Sequence, residues 1–256
     1  MSSPDHVEAP WPSLAVVVPV YNEALSIDSA SRTIVGALQQ YPGQIGVIAV
    51  DDGSRDESAT ILGRVATELP ALELVRHEHN AGYGAALRTG AQRARDQGFS
   101  YVAFIDSDLT NPPSDLVKIG RLAQDGHAYI KASRFIPGGD MSAVPLLRRL
   151  ASRSANWLAA WLFATSVRDV TNGFRGGRTE LICSWPTRET SFAVIVEEFA
   201  FALRSGIRPV EFPTSLSARS SGHRRSAFSY RPRLILSYLR YPLRAFIDRH
   251  LRGNRR

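Results

Sequence analysis

Cysteine is almost absent from this chain. Cys183 is the only one in 256 residues, which excludes an intrachain disulfide and any cysteine-based zinc site and fits a reducing compartment. Long hydrophobic runs are missing too. The longest purely apolar stretch, 157–164, is far short of the roughly 20 residues that cross a bilayer, so no membrane span is expected. Residues 1–12 contain Asp5 and Glu8 and no apolar core, unlike a secretory signal. Lysine is scarce as well: Lys118 and Lys131 are the only two among 31 basic residues. The net charge of +7 is therefore carried by arginine, and the arginines crowd the end of the chain. After Arg204 only Glu211 and Asp248 are acidic, against Arg219, Arg224, Arg225, Arg231, Arg233, Arg240 and Arg244 among others. Such a tail suits nucleic acid, anionic lipid headgroups or a phosphorylated substrate; a solvated surface is the ordinary alternative.

What is present is globular in character. Hydrophobic residues make up 44% and charged residues 21%, far from a disordered composition, and the length permits a sizeable core. Residues 14–20 form a continuous apolar, β-branched run, the mark of a strand buried on both faces. Helical spacing follows over 26–41 and stops at Pro42-Gly43. The same alternation gives strands at 45–50, 72–75 and 101–105, with helices at 56–69 and 84–97. Beyond Pro112-Pro113 come a helix over 114–125, a strand ending in 131–134, helices over 145–164 and 191–205, and a strand over 208–213. Strand and helix in turn predict an α/β fold, a mostly parallel central sheet flanked by helices. No repeat or low-complexity linker interrupts it. The expected organisation is a flexible amino terminus (1–12), one catalytic domain (13–228) and a basic amphipathic helical segment (229–256).

In parallel sheets ligands bind beyond the carboxyl ends of the strands, and the acids of this sequence gather there. Glu23 follows the first strand, Asp51 and Asp52 the second, Asp106 and Asp108 the fourth. In Asp106-Ser107-Asp108 the two carboxylates, two residues apart, can face one small volume. Such a pair repels itself unless a cation is present. Mg2+ or Mn2+ suits it, because a hard divalent ion takes one or two carboxylates and fills its shell with water and phosphate oxygens. Asp51-Asp52-Gly53-Ser54 places two acids before a turning glycine, where a carboxylate can accept from a nucleobase or ribose; helix capping alone would need only one side chain. His77-Glu78-His79 lacks a convergent third zinc ligand and reads as surface.

Taken in order, Val18-Pro19-Val20-Tyr21-Asn22-Glu23, Val50-Asp51-Asp52-Gly53-Ser54, Asn80-Ala81-Gly82-Tyr83-Gly84 and Asp106-Ser107-Asp108-Leu109 resemble the successive signatures of family 2 glycosyltransferases. The strongest likeness is to the dolichol-phosphate (polyprenyl-phosphate) mannose synthases. It extends through Ala132-Ser133-Arg134-Phe135, 169–175, Glu197, Glu211-Phe212-Pro213 and Arg219-Ser220-Ser221-Gly222. The resemblance implies a GT-A (Rossmann-like) fold. It implies that Pro19, Tyr21, Glu23, Asp51 and Asp52 hold the donor nucleotide. Asp106 and Asp108 would bind the metal and diphosphate, with Glu197 as a further metal ligand. Arg134 and Arg219 would reach the acceptor phosphate or donor diphosphate, and Asp169 and Glu197 would shape the sugar site. The family usually follows its Arg-x-x-Gly with x-Ser-Lys. Here His223-Arg224-Arg225 stands instead, so Arg225 would supply the charge without the compact ammonium.

The acceptor follows from chemistry. A sugar hydroxyl needs a positioned general base, whereas a lipid monophosphate is already ionised and needs a cationic cradle. Arg134, Arg175, Arg219, Arg224 and Arg225 are candidates for that cradle. Glu197-Glu198 stands where the resemblance would put a base. The expected activity is inverting transfer of mannose or glucose from a GDP- or UDP-sugar to a polyprenyl phosphate. Its rival is the same fold acting on a hydroxyl of a glycan or natural product; a nucleic-acid-binding module is remote, because it leaves the strand-end acids unexplained. The segment 230–251 mixes leucines with arginines and suits either an anionic membrane surface or packing on the domain. The expected setting is cytoplasmic, with a peripheral position at the inner face of the membrane and no nucleic acid partner.

Overall fold

The computed structural model describes residues 9–217 and 232–253. Its elements run β1 Leu14–Val20, α1 Ile27–Leu38, β2 Ile45–Asp51, α2 Ser58–Glu68, β3 Leu72–Arg76, α3 Tyr83–Asp96 and β4 Tyr101–Phe104. A 3-10 turn at Pro113–Asp115 leads into α4 Leu116–Gln124. Then come β5 Tyr129–Ser133, α5 Leu146–Phe163, β6 Arg175–Arg178, α6 Thr179–Ser184, α7 Val194–Arg204, β7 Val210–Pro213 and α8 Pro232–Gly253.

The strands form one sheet in the order β3-β2-β1-β4-β6-β5-β7. Pairing is parallel except for β6, which runs antiparallel to both β4 and β5. Side chains alternate across the sheet as a period of two requires. Leu14, Val16 and Val18 of β1 face α1, α2 and α4. Ala15 and Val17 face a second core with α3, α5, α6 and α7. The result is a three-layer α/β/α sandwich, as the alternation predicts.

Two elements have no counterpart in the sequence pattern. Arg175-Gly176-Gly177-Arg178 shows no apolar alternation, yet it forms β6. Its glycines explain this. A Cβ on Gly176 would meet Ile119 Cγ2 at 2.8 Å, and one on Gly177 would meet Ala128 O at 2.7 Å. The strand fits between β4 and β5 because it carries no side chains there. Helix α6 follows at once. Trp11 packs edge-on against Tyr41, whose hydroxyl donates to Pro12 O (2.6 Å). At the other end, α8 packs its inner side on the domain: Tyr238, Tyr241 and Ala245 join the second core.

Candidate active site

The carboxyl ends of β2, β1 and β4 lie side by side, so their acids share one edge of the sheet. Asp51 and Asp52 are both buried. Asp51 accepts from Ser54 N (3.2 Å), closing the turn at Gly53, and its other oxygen lies 3.2 Å from Arg76 Nε. Asp52 accepts from Ala81 N (2.9 Å) and Gly82 N (2.8 Å) and lies 2.7 Å from His77 Nδ1. The other ring nitrogen of His77 is 2.9 Å from the Thr89 hydroxyl, so the imidazole is fixed on both sides. His77 thus stands beneath Asp52 rather than on an inert surface. The β1 end is stitched to the same loop. Asn22, at φ 54, donates from its backbone to Ser54 Oγ (2.8 Å) and accepts from Arg55 N (2.7 Å). Glu23 takes Ser26 Oγ on its carboxylate (3.1 Å), Pro19 is half-buried and Tyr21 is exposed.

Gly82 opens α3 at φ 98, a conformation that favours glycine. A Cβ there would meet Thr190 O at 2.5 Å, and one on Gly84 would meet Glu189 O at 2.1 Å. The two glycines let the backbone at 189–190 lie directly on the first turn of α3, where Gly84 N donates to Thr190 O (2.9 Å). The next residue, Tyr83, reaches the other acids. Its hydroxyl donates to Asp106 Oδ1 (3.0 Å), and its ring stacks on Phe192 at 4.2 Å. Burial, and then the Asp106 charge, raise the Tyr83 pKa well above the phenol range, so it stays a donor. Asp52 and Asp106 are therefore tied to consecutive residues, Gly82 and Tyr83, at one edge of the sheet.

Asp106 and Asp108 are half-exposed while Ser107 between them is buried. Leu109 adopts φ 51, and Asp108 Oδ1 accepts from Thr110 N (3.1 Å) and Thr110 Oγ1 (3.0 Å). Asn111 Oδ1 is buried without a hydrogen-bond partner among the described residues. Gly173 borders the pair: a Cβ there would stand 3.5 Å from Asp106 Oδ2 and 3.2 Å from the Tyr83 hydroxyl.

Behind this edge the charges are paired off. Arg175 is fully buried and makes a two-pronged pair with Glu198 (2.7 and 2.7 Å), with a third bond to Gly173 O (2.8 Å). Its guanidinium lies 4.5 Å from the Phe104 ring centroid. Burial opposes that charge, but the Glu198 carboxylate more than offsets it, and the pKa is raised. Lys131, also fully buried, donates to Asn172 O (3.0 Å). Burial, with Arg175 nearby, lowers its pKa to about 7. These two side chains hold the carbonyls of 172–173, next to the glycine that borders Asp106.

Several expected roles change in consequence. Arg175 is removed from the phosphate cradle, and Glu198 from the role of base, because each neutralises the other. Arg134 grips Asp169 with Nε–Oδ2 (2.7 Å) and Nη2–Oδ1 (2.8 Å), and its backbone N–H donates to the same carboxylate (3.0 Å). Glu211 in turn accepts from the backbone N–H groups of Arg168 and Asp169, 2.9 Å each. Glu197 is buried and accepts from Arg188 N and Glu189 N, both 2.9 Å. It fixes the loop that covers α3 and does not join the aspartates as a third ligand; no group of three His, Cys, Asp or Glu among the described residues could hold a metal ion. Arg219, Arg224 and Arg225 lie outside the described residues. Ser217, two residues before Arg219 in the sequence, donates from its backbone to Thr110 O (2.9 Å).

The sheet, with its acids at one edge, has the fold of the GT-A glycosyltransferases. Glucosyl-3-phosphoglycerate synthase from Mycobacterium tuberculosis, solved with Mn2+, UDP-glucose and phosphoglyceric acid, superposes with a TM-score of 0.63 over 93% of this chain and 79% of that one, at 20% identity. The profile described as Glycosyl transferase family 2 matches residues 15–182, and the chain belongs to that family. It is 26% identical over 242 residues to polyprenol monophosphomannose synthase of Mycolicibacterium smegmatis, covering 91% of this chain and 88% of the relative. Dolichol-phosphate mannosyltransferase of Pyrococcus furiosus is 24% identical over 89% of this chain and 62% of the relative. Undecaprenyl-phosphate 4-deoxy-4-formamido-L-arabinose transferase of Pseudomonas syringae is 32% identical over 47% of this chain, which spans only 35% of that protein.

Proposed function

We propose that the chain transfers a hexose, mannose or glucose, from a GDP- or UDP-sugar to a polyprenyl phosphate, with inversion at the anomeric carbon. One observation carries the reading: the acids at the ends of β2 and β4 meet on Gly82 and Tyr83, so the nucleotide and diphosphate ends of one donor fit a single crevice. The M. smegmatis and P. furiosus relatives are named for mannose transfer to polyprenyl carriers, which supports the acceptor class.

The residues fit a hard divalent ion. Asp106 and Asp108 are half-exposed, and with no third acid grouped with them among the described residues, Mg2+ or Mn2+ would complete its shell with water and diphosphate oxygens. When bound, the ion supplies charge neutralisation to the departing nucleoside diphosphate. The chain's own residues do the positioning. Asp52, braced by His77, aims the backbone at 81–82; Tyr83 fixes the Asp106 carboxylate; Pro19, Tyr21 and Glu23 border the nucleoside end.

A phosphate acceptor is favoured over a hydroxyl by where the acids are engaged. Asp169 is held by Arg134, Glu198 by Arg175 and Glu197 by two backbone N–H groups. A hydroxyl nucleophile would need one of them as base; an ionised phosphate needs none. Arg219 and Arg225 are assigned to the acceptor phosphate, with 13–228 as the catalytic unit and a peripheral position at the cytoplasmic face of the membrane.

The test is direct. Protein with Mn2+ and radiolabelled GDP-mannose, GDP-glucose or UDP-glucose is offered polyprenyl phosphate or a panel of free glycans and alcohols. Label entering the lipid phosphate, blocked by a chelator, is the expected result. Label entering only hydroxyl acceptors overturns the acceptor assignment.

A further inference from the structure

Two neighbouring helices carry apolar side chains on their outward sides. On α5, Leu147, Leu150, Trp157 and Trp161 are exposed, Leu147 by 81% and Trp157 by 70%, and their spacing places them along one helix face. On α8, Leu236, Leu243, Ile247 and Leu251 do the same, Leu236 being 66% exposed. The helices touch at a shared seam. Trp161 stacks on Phe246 at 5.3 Å, and Arg249 donates to Leu162 O (3.4 Å). A joined apolar surface of this kind marks a contact site rather than ordinary solvent-facing scatter.

The charges around it select the occupant. Arg148, Arg153, Arg240 and Arg244 are exposed on the same two helices. Helix α5 has no acidic residue, and the one acid of α8, Asp248, lies 3.6 Å from Arg204. A second copy meeting this face across a two-fold axis would set arginines against arginines. A bilayer with anionic headgroups takes the leucines into its interfacial zone and pairs the guanidinium groups with lipid phosphates. Tryptophan suits the headgroup level.

We propose that the outward face shared by α5 and α8 is the surface on which this enzyme rests on an anionic bilayer. The inference rests on the lipid-phosphate reading above and names the surface that serves it. The inner side of α8 joins the same face to the crevice: the Tyr238 hydroxyl donates to Phe192 O (3.0 Å) and the Tyr241 hydroxyl to Glu189 (2.9 Å), beside the ring that stacks on Tyr83. Helix α5 begins at Leu146, twelve residues after Arg134 in the sequence. A docked molecule would therefore hold its crevice next to the headgroups.

The full chain is sedimented with vesicles of equal parts phosphatidylglycerol and phosphatidylcholine, or of phosphatidylcholine alone, and tryptophan emission is recorded. Binding to the anionic vesicles with a blue shift is expected. Leu150→Glu with Trp157→Glu lowers the bound fraction at least about tenfold, since two buried apolar side chains are lost. Arg148→Glu with Arg153→Glu, both at exposed positions, does the same by removing charge. Equal binding by wild type and both variants, or equal binding to neutral vesicles, overturns the proposal. So does a dimer in sedimentation equilibrium that the variants convert to monomer, which would make the face a contact between copies. Transfer to a short-chain, water-soluble prenyl phosphate reads the acceptor assignment separately. The docking variants retain it; its absence in the wild type sinks that assignment, and the vesicle result still stands or falls by itself.

Discussion

Asp52, Asp106 and Asp108, in the β1–β4 half, are treated differently from Asp169 and Glu198, in the β5–β7 half. In the first half, Asp52 is held by backbone N–H groups and an imidazole, and Asp106 and Asp108 by hydroxyls and a backbone N–H. In the second, Asp169 and Glu198 are buried against arginines. A backbone N–H or a hydroxyl orients a carboxylate by its dipole, whereas an arginine also sets a full opposite charge beside it. In the proposed reading the ion and the diphosphate meet the first set of acids, and the second set stands behind them.

Four substitutions break or sharpen this contrast. Asp108→Ala has the largest expected effect, a loss of about three orders of magnitude in turnover, because several kcal/mol of charge stabilisation leave with the ion. Its melting temperature should stay close to wild type. Chelator-sensitive turnover in the variant would erase the distinction. Glu198→Ala belongs to the other half and acts on stability. Leaving Arg175 buried and unpaired costs about 3–5 kcal/mol in urea unfolding, and Arg175→Met with Glu198→Leu recovers most of it. A single variant as mild as a surface change would show that this pair does not hold the second set in place. Tyr83→Phe keeps the stack on Phe192 and removes one donor to Asp106. Turnover falls about tenfold with donor KM little changed, the worth of one hydrogen bond to a charged group; an equal rise in KM would place Tyr83 on the donor instead.

Lys131→Met has an effect on stability that is signed and is read across pH. Burial holds the Lys131 ammonium down to about 7, well below the usual lysine range. Between those values the unfolded chain holds a proton that the folded one lacks, so stability rises with pH across that window and is lost as pH falls through 7. The wild-type slope should approach about 1.4 kcal/mol per pH unit there. The variant should be flat in the same range by thermal melts, and parallel curves would place the charge elsewhere.

The sheet was legible because β1, β2 and β4 are apolar runs that end in acids; burial and function both write themselves into those segments. The element β6 was not, since its place depends on missing side chains and on partners distant in sequence. Asp106 and Asp108 were found from their spacing. The partners that fix the crevice were not: His77 looked like one of two exposed histidines, and Tyr83 like part of a glycine-rich loop. Only the fold brings them to Asp52 and Asp106. The arginines were the hardest to read, because their charge is the same on a surface and against Glu198. Sequence shows how many there are, and packing decides which are already satisfied.

The antiparallel strand in the middle of the sheet bears on how the chain is made. As the chain leaves the ribosome, β1, β2, β3 and β4 emerge in turn and can assemble as β3-β2-β1-β4, but β4 then ends in an open hydrogen-bonding edge. That edge stays unpaired through the synthesis of α4, β5 and α5, until Arg175–Arg178 arrives to close it. Nascent chains stalled in this interval present a bare parallel sheet to their neighbours. The dangerous moment for this protein comes midway through translation, and slow passage through 105–175 would be felt as aggregation rather than as lost activity.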